Sequence, residues 1–368
     1  MNSNDEIIAL ANPHTIKKFE LIEKYVEAWA HKLLQNPYCF GLVFVDCMSN
    51  SGEYIDNDGK QVFGTPVRVA KYLRNVAGQY PSKQIDLFFS DLCASKTEHL
   101  KRLMPNESHN FHVHITTEDG NELAKRLGKT MSNKKHYLLV YDPFEATIDW
   151  NAIIPFINNW SEVILNHMVS DSIRAVKMVK KDEARSKYER TYLMDLENLI
   201  PYGSNKKAYE TRIEDIIIAL RHNSGSRYYI AAFPFFNEKN AIVYNLIHCT
   251  NNIKGFRLYK QSAWQTFGGK SSTKNTHGLE NQFMLDFESK GVVKTHTDEF
   301  CFYIKDIAEY LQKLFNGQSD VPMSNVWALL DNHPIFPSDG FRPQIKNELK
   351  QNYGASISRS TISFVYRS

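Results

Sequence analysis

Along the first 170 residues, apolar positions follow two spacings in turn. Between His14 and Leu34, Ile16, Phe19, Ile22, Tyr25, Val26, Trp29 and Leu33 recur mostly at three- and four-residue steps opposite a Lys/Glu face, which predicts an opening amphipathic helix. Cys39 to Asp46 is then a continuous apolar run ending in an acid, the pattern of a strand buried on both faces of a parallel sheet. A loop rich in Ser, Asn, Gly and Asp leads to Gly64, and Pro66 opens a second helical stretch, Thr65 to Val76, where proline is tolerated. The alternation continues through strand Ile85–Asp91, helix Ser95–Leu103, strand Phe111–Ile115, helix Asn121–Leu127, strand His136–Asp142, helix Trp150–Asn158 and strand Glu162–Met168. Five strands alternating with helices predict an α/β fold, a doubly wound Rossmann-like sheet that binds ligands at the carboxyl ends of its strands.

The second half changes character. Asp171 to Arg190 reads as a helix with a solvated basic face, Lys206 to His222 as another helix, and Arg227–Phe235 with Ala241–Cys249 as two strands around the turn Asn237–Asn240. From about Phe300 the pattern is helix (Ile304–Phe315), short helix (Ser324–Asn332), helix (Phe341–Tyr353) and strand (Ser356–Tyr366), the order of a winged helix. The expected organisation is an α/β domain over 1–250 with an α+β extension, a connecting segment over 251–299, and a winged-helix-like domain over 300–368.

Composition narrows the function classes. With 42% hydrophobic and 23% charged residues the chain carries enough apolar matter for a core, which excludes disordered, collagen-like and coiled-coil classes. A net charge of +3 does not by itself argue for nucleic acid, so a local patch has to. One exists: Lys239 to Gly278 contains no acid, while Lys254, Arg257, Lys260, Lys270 and Lys274 interleave with Phe256, Tyr259, Trp264 and Phe267. In the tail, Arg342, Lys346 and Lys350 recur at helical spacing on one helix, positioned for a groove, with Arg359 on the wing for a phosphate. The five cysteines are scattered and read as reduced core thiols. The polar start and the lack of a long apolar stretch predict a cytoplasmic protein with no membrane segment.

Four successive strands place Asp46, Asp91, Asp119 (or its neighbour Glu118) and Asp142 at or just past their carboxyl ends. In a doubly wound sheet these converge on one crevice. The arrangement resembles a class I S-adenosylmethionine-dependent methyltransferase, and the resemblance covers roughly residues 41–168. It implies a cofactor loop over Asp46-Cys47-Met48-Ser49-Asn50-Ser51-Gly52, ribose on Asp91, adenine near Asp119 and substrate at the fourth strand. Only Gly52 stands where that class carries several glycines, although Asn50 is a side chain that enters the left-handed region at little cost.

After the fourth strand comes Tyr141-Asp142-Pro143-Phe144. An amine conjugated to a base ring is a poor nucleophile. A carboxylate and a backbone carbonyl accepting its N–H groups favour the nitrogen geometry that attacks a methyl group, while an aromatic ring stacks on the base. Asp142, the Pro143 carbonyl and Phe144 match those roles, in a form similar to the Asp-Pro-Phe-Gly motif of tRNA guanine-N2 methyltransferases, with Glu145 in place of the glycine. A plain strand terminator explains the same residues.

Over its whole length the chain resembles the three-Cys-motif partner (TcmP) proteins. The opening helix, Val45-Asp46 with Gly52 and Tyr54, Gly64-Thr65-Pro66, Asp142-Pro143-Phe144, and Tyr244-Asn245-Leu246-Ile247 with Gly255 carry the resemblance. It implies a methyltransferase-like domain, a winged-helix-type tail and a partner protein bearing three cysteines. Met48, Ser49, Asn50 and Glu145 depart from that family's usual motifs.

Other chemistry finds less support. His112 and His114, with His109 nearby, read as a polar strand face and not a metal site, for want of further ligands. Mg²⁺-dependent phosphoryl or nuclease chemistry lacks an accompanying phosphate loop, and no Gly-x-Ser-x-Gly elbow occurs. Two expectations remain. One is a methyltransferase-like protein acting on a base amine of DNA or RNA. The other is a catalytically silent module that binds nucleic acid or a partner protein in a regulatory or defence complex.

Overall fold

The computed structural model describes residues 7–143, 147–168, 182–195, 198, 206–220, 228–274 and 301–367. At its centre is a seven-stranded sheet made of β2 (Gly41–Asp46), β5 (Gln84–Asp91), β6 (Phe111–Thr117), β7 (Lys135–Tyr141), β8 (Ser161–His167), β9 (Tyr229–Phe236) and β10 (Ile242–Thr250), in the order β6-β5-β2-β7-β8-β10-β9. The first five are parallel to one another, whereas β10 is antiparallel to both β8 and β9. The two later strands are therefore part of this sheet and complete its far edge. β2 is the central one of the five parallel strands and is buried throughout, as its unbroken apolar run requires.

Alternate residues of β2 serve opposite layers. Leu42 and Phe44 pack with α1 (Pro13–Leu34), α2 (Thr65–Gln79) and α8 (Ile253–Thr266); Val43 and Val45 pack with α4 (Gly120–Lys129), α5 (Trp150–Ile153) and α7 (Lys206–Leu220). Helix α3 (Ala94–Leu103) follows β5, and α6 (Asp182–Tyr192) precedes α7. The helix expected over 150–158 is shorter, because Pro155 lies in a 3-10 turn over Ile154–Phe156. Of the basic stretch expected as a helix over 171–190, only the part from 182 lies within the described residues.

The loop expected between β2 and α2 contains two short strands, β3 (Glu53–Ile55) and β4 (Gln61–Phe63), which form a small sheet with β1 (Ala9–Leu10) in the order β1-β3-β4. The hairpin lays Tyr54 over the carboxyl edge of the main sheet, against Phe19 of α1. Among the described residues, no helix is long and apolar enough to cross a membrane.

The C-terminal unit runs α9 (Ile304–Leu314), β11 (Val321–Pro322), α10 (Met323–Asn332), α11 (Arg342–Tyr353), β12 (Ser356–Ile357) and β13 (Thr361–Ser363), with antiparallel strand order β11-β13-β12. The single strand expected over 356–366 is a hairpin whose turn carries Arg359. The core of this unit, including Ile307, Leu311, Val326, Ile345 and Leu349, is continuous with the α1/α2/α8 layer of the main sheet.

That continuity corrects the interpretation of the basic-aromatic segment. Its first part is α8, whose apolar stripe Phe256, Tyr259, Ala263, Trp264 and Phe267 is buried between the two units. Lys260 is fully buried, with Nζ donating to the backbone carbonyls of Leu330, Asp331, His333 and Phe336 at 2.8, 3.2, 2.6 and 3.1 Å. Trp264 is fully buried as well, its indole N–H donating to the Ile335 carbonyl at 3.0 Å. Arg257 forms a bidentate pair with Asp339 and a second ion pair with Asp331 at 3.1 Å. Lys270 donates to the Lys274 carbonyl. Only Lys254 of the five proposed contacts on this segment is exposed and points away from these internal partners. Lys260 and Trp264 are thus not nucleic-acid contacts; they fasten the C-terminal unit to the sheet.

Candidate functional site

β2 and β5 end on their acids, Asp46 and Asp91, and β7 ends one residue before Asp142. Asp119 lies two residues past the end of β6 as the N-cap of α4, accepting the Asn121 N–H at 2.7 Å. These groups share one field. The Asp46 carboxyl is raised to about 7, first by burial and then by the negative charge of Asp142, with Asp91 adding in the same sense and Lys18 opposing. The phenol of Tyr54 is raised by burial and then by Asp142, Asp46 and Asp91. The acids at the strand ends of β2, β5 and β7 thus lie near one another, and Tyr54 lies among them.

The loop after β2 turns in the manner its sequence permits. Asn50 has φ 54° and Gly52 φ 74°, so the left-handed turn forms with asparagine in the first position. Asp46 accepts the Met48 N–H at 3.3 Å, while Ser49 donates through both N–H and Oγ to the Ser90 carbonyl, at 2.9 and 3.0 Å. Ser90 in turn donates to the Cys47 carbonyl at 2.8 Å. The loop is therefore moored to the end of β5. It is moored on its other side by Gly120, where a Cβ would fall 1.8 Å from the Cys47 carbonyl oxygen. Gly120→Ala is expected to lift the start of α4 off the loop and to cost about 1–3 kcal/mol, read as a lowered urea midpoint with an unchanged m-value. An unchanged midpoint would show that the contact is readily relaxed.

Asp91 is half-buried, with Oδ1 accepting the Cys93 N–H at 2.9 Å, and Asp119 is exposed. Asp142 is more elaborately held. Lys18 of α1 donates to its Oδ2, and Asn166 of β8 donates to its Oδ1 at 2.5 Å. Asn166 is buried, and its own Oδ1 has no hydrogen-bond partner. Nζ of Lys18 also stands 5.3 Å from the centroid of the Tyr244 ring. Tyr244 fixes the start of α1 by donating to the His14 carbonyl at 3.0 Å. Pro143 is buried beside Asp142, and Phe144 lies outside the described residues, as does Glu145.

The structure thus brings Asp46, Asn50, Asp91 and Asp142 together and adds Lys18, Tyr54, Asn166 and Tyr244, which the sequence analysis did not place at the site. Lys18 alone left a signal. It stands four, seven and eleven residues before Ile22, Tyr25 and Trp29, on the buried stripe of its helix. Gly52 is not shaped for a ligand, since a Cβ there would meet Leu100 and Val67 at 2.5 and 2.8 Å. Its glycine is required by internal packing and by its positive φ.

For S-adenosylmethionine, the groups that fit are a left-handed first loop and a half-buried carboxylate, Asp91, at the end of the second strand. On the C-terminal unit, Arg342 pairs with Asp339 at 3.1 Å, and both Arg342 and Lys346 lie over the Trp327 ring, at 5.4 and 5.8 Å. Lys350 and Arg359 are exposed.

Five parallel strands with the first at the centre, followed by an antiparallel strand inserted before the sixth at the edge, define the Rossmann-like class I methyltransferase fold. No family model matches the chain, and no curated protein matches it. Among solved structures, it is similar to a DUF519 protein from Legionella pneumophila (TM-score 0.37, 11% identity, covering 77% of this chain and 95% of that one). It is also similar to human methyltransferase-like protein 13 in complex with SAH (TM-score 0.31, 13% identity, 73% and 99%). A third is loganic acid methyltransferase with SAH (TM-score 0.30, 8% identity, 69% and 83%). The class rests on the strand order and polarity of this chain.

Proposed function

We propose that the protein is an S-adenosylmethionine-dependent methyltransferase acting on a base amine of DNA or RNA. One observation carries the proposal: Asp142, at the end of the fourth strand of the fold, already binds a primary ammonium, that of Lys18. A base amine has two N–H groups, for which the Asp142 carboxylate and the Pro143 carbonyl would be the acceptors. Holding both would draw electron density onto the nitrogen in a water-poor crevice, where fixed acceptors act most strongly. Asn50 and Asp91 would hold the cofactor, with Asp46 beneath it and Asp119 at the rim. When bound, the cofactor supplies an electrophilic methyl group. Phe144 would stack on the base.

The order of helices and strands in the C-terminal unit is that of a winged helix, and it supports a polynucleotide substrate. Lys350, Arg359 and Lys254 offer exposed charge for phosphates, with Lys346 and Arg342 leaning on Trp327 at the same helix. A protein bearing three cysteines is the partner that the TcmP resemblance suggests. A silent, partner-binding module is the second reading, and Tyr54 favours it: a half-buried tyrosine stands among the strand-end acids.

The test is methyl transfer from labelled donor to single- and double-stranded DNA and RNA. Asp142→Ala is expected to reduce turnover about a hundredfold or more while donor affinity stays within a few-fold of wild type. Turnover at the wild-type level in that variant would refute the assignment.

A further inference from the structure

We infer that Lys18 is itself a methyl acceptor, a modification site that the chain carries on its opening helix. The inference rests on the methyltransferase reading of the crevice and adds a second substrate class to it, a protein lysine amine.

Lys18 is 8% exposed on a helix whose buried stripe is otherwise apolar. A solvated position was one step of the helix away, and Lys24, on the same helix, occupies such a position. The ammonium instead reaches the carboxyl edge of the sheet and donates to Asp142, the residue to which the methyltransferase reading assigns the acceptor nitrogen. The surroundings position it from three sides. Asn166 fixes the carboxylate through Oδ1, the Tyr244 ring flanks the ammonium at 5.3 Å, and the Tyr244 hydroxyl bonds the His14 carbonyl one turn earlier, holding this turn of α1 over the site. A carboxylate with an aromatic face holds an N-methylated ammonium as well as an unmodified one, because cation–π attraction does not depend on N–H donors.

The step balances without further reagents beyond a sulfonium methyl donor. The ammonium first loses a proton, which a second positive charge arriving beside it favours. Asp142, whose carboxylate already accepts from Nζ and is partly exposed, takes that proton and releases it to solvent. The Nζ lone pair then forms the N–C bond while the C–S bond breaks, its electron pair remaining on sulfur as a neutral thioether. The product, a secondary ammonium, is cationic as formed and keeps its ion pair with Asp142.

The experiment incubates the full chain with S-adenosylmethionine carrying a deuterated methyl group. It follows the intact mass and the peptide containing Lys18, with donor binding measured in parallel by calorimetry. The expected result is a methyl label confined to Lys18, absent in Lys18→Arg, and formed about a hundredfold more slowly in Asp142→Asn, whose fold is checked by its thermal transition. A wild-type chain that binds the donor but leaves Lys18 unlabelled overturns this inference and leaves the methyltransferase reading standing. A folded chain that binds no donor overturns both. Label spread over exposed lysines, unaffected by Asp142→Asn, also overturns it, since that pattern is non-enzymatic.

Discussion

Lys260→Met is expected to destabilise the protein by about 2–4 kcal/mol. The side chain is isosteric enough to preserve packing against Phe256, over whose ring the ammonium now stands at 4.3 Å. Methionine has no donor for the four carbonyls that converge on Nζ, and those at Leu330 and Phe336 accept it in a fully buried setting. An acceptor stripped of its donor inside a protein retains its desolvation cost, which is why the loss exceeds the net worth of an ordinary hydrogen bond. Residues 330–336 join α10 to the rest of the C-terminal unit, so the weakened element is the contact between that unit and α8. A urea titration followed by tryptophan fluorescence reads it, because Trp264 donates to Ile335 in the same contact. A midpoint equal to wild type would mean that water replaces the ammonium at little cost.

Asp46→Asn is expected to act in the other direction, and only above acidic pH. A free aspartate titrates near 4, whereas the buried Asp46 carboxyl titrates at about 7 in the fold. Between those values the folded chain binds more protons than the unfolded one, so stability attributable to this group falls as pH rises from about 4 to about 7 and does not recover above that. Asparagine cannot ionise and preserves the acceptor for the Met48 N–H. The variant should match wild type near pH 4 and exceed it by up to about 4 kcal/mol at pH 8. Thermal melts at several pH values measure the widening gap. A gap independent of pH would place the ionisation of Asp46 outside this range.

How far the sequence foretold this structure differs between the sheet and the site. The strand runs Cys39–Asp46 and His136–Asp142 were legible because burial on both faces removes polar residues from a parallel strand, leaving runs too dense to mistake. The hairpin over residues 53–63 was not, since three-residue strands are too short to display a period of two. The basic-aromatic segment was misread for a definite physical reason. Phe256, Lys260, Ala263 and Phe267 fall at four- and three-residue steps, so helical periodicity places Lys260 on the apolar stripe, where an amphipathic residue is expected to reach backbone acceptors. Lys18 is the same case on α1. Tyr54, Asn166 and Tyr244 come from three separate elements, and their meeting depends on register and hairpin geometry that no local pattern encodes.

The central claim is that the crevice formed by Asp46, Asn50, Asp91 and Asp142 binds a methyl-donating cofactor. Titrating S-adenosylmethionine into the purified chain by calorimetry, with Asp91→Ala alongside, tests it most directly. Binding in the micromolar range, lost in the variant while its thermal transition is retained, is the predicted result. A folded wild-type chain that releases or absorbs no heat of binding, and whose melting temperature the cofactor leaves unchanged, would contradict it.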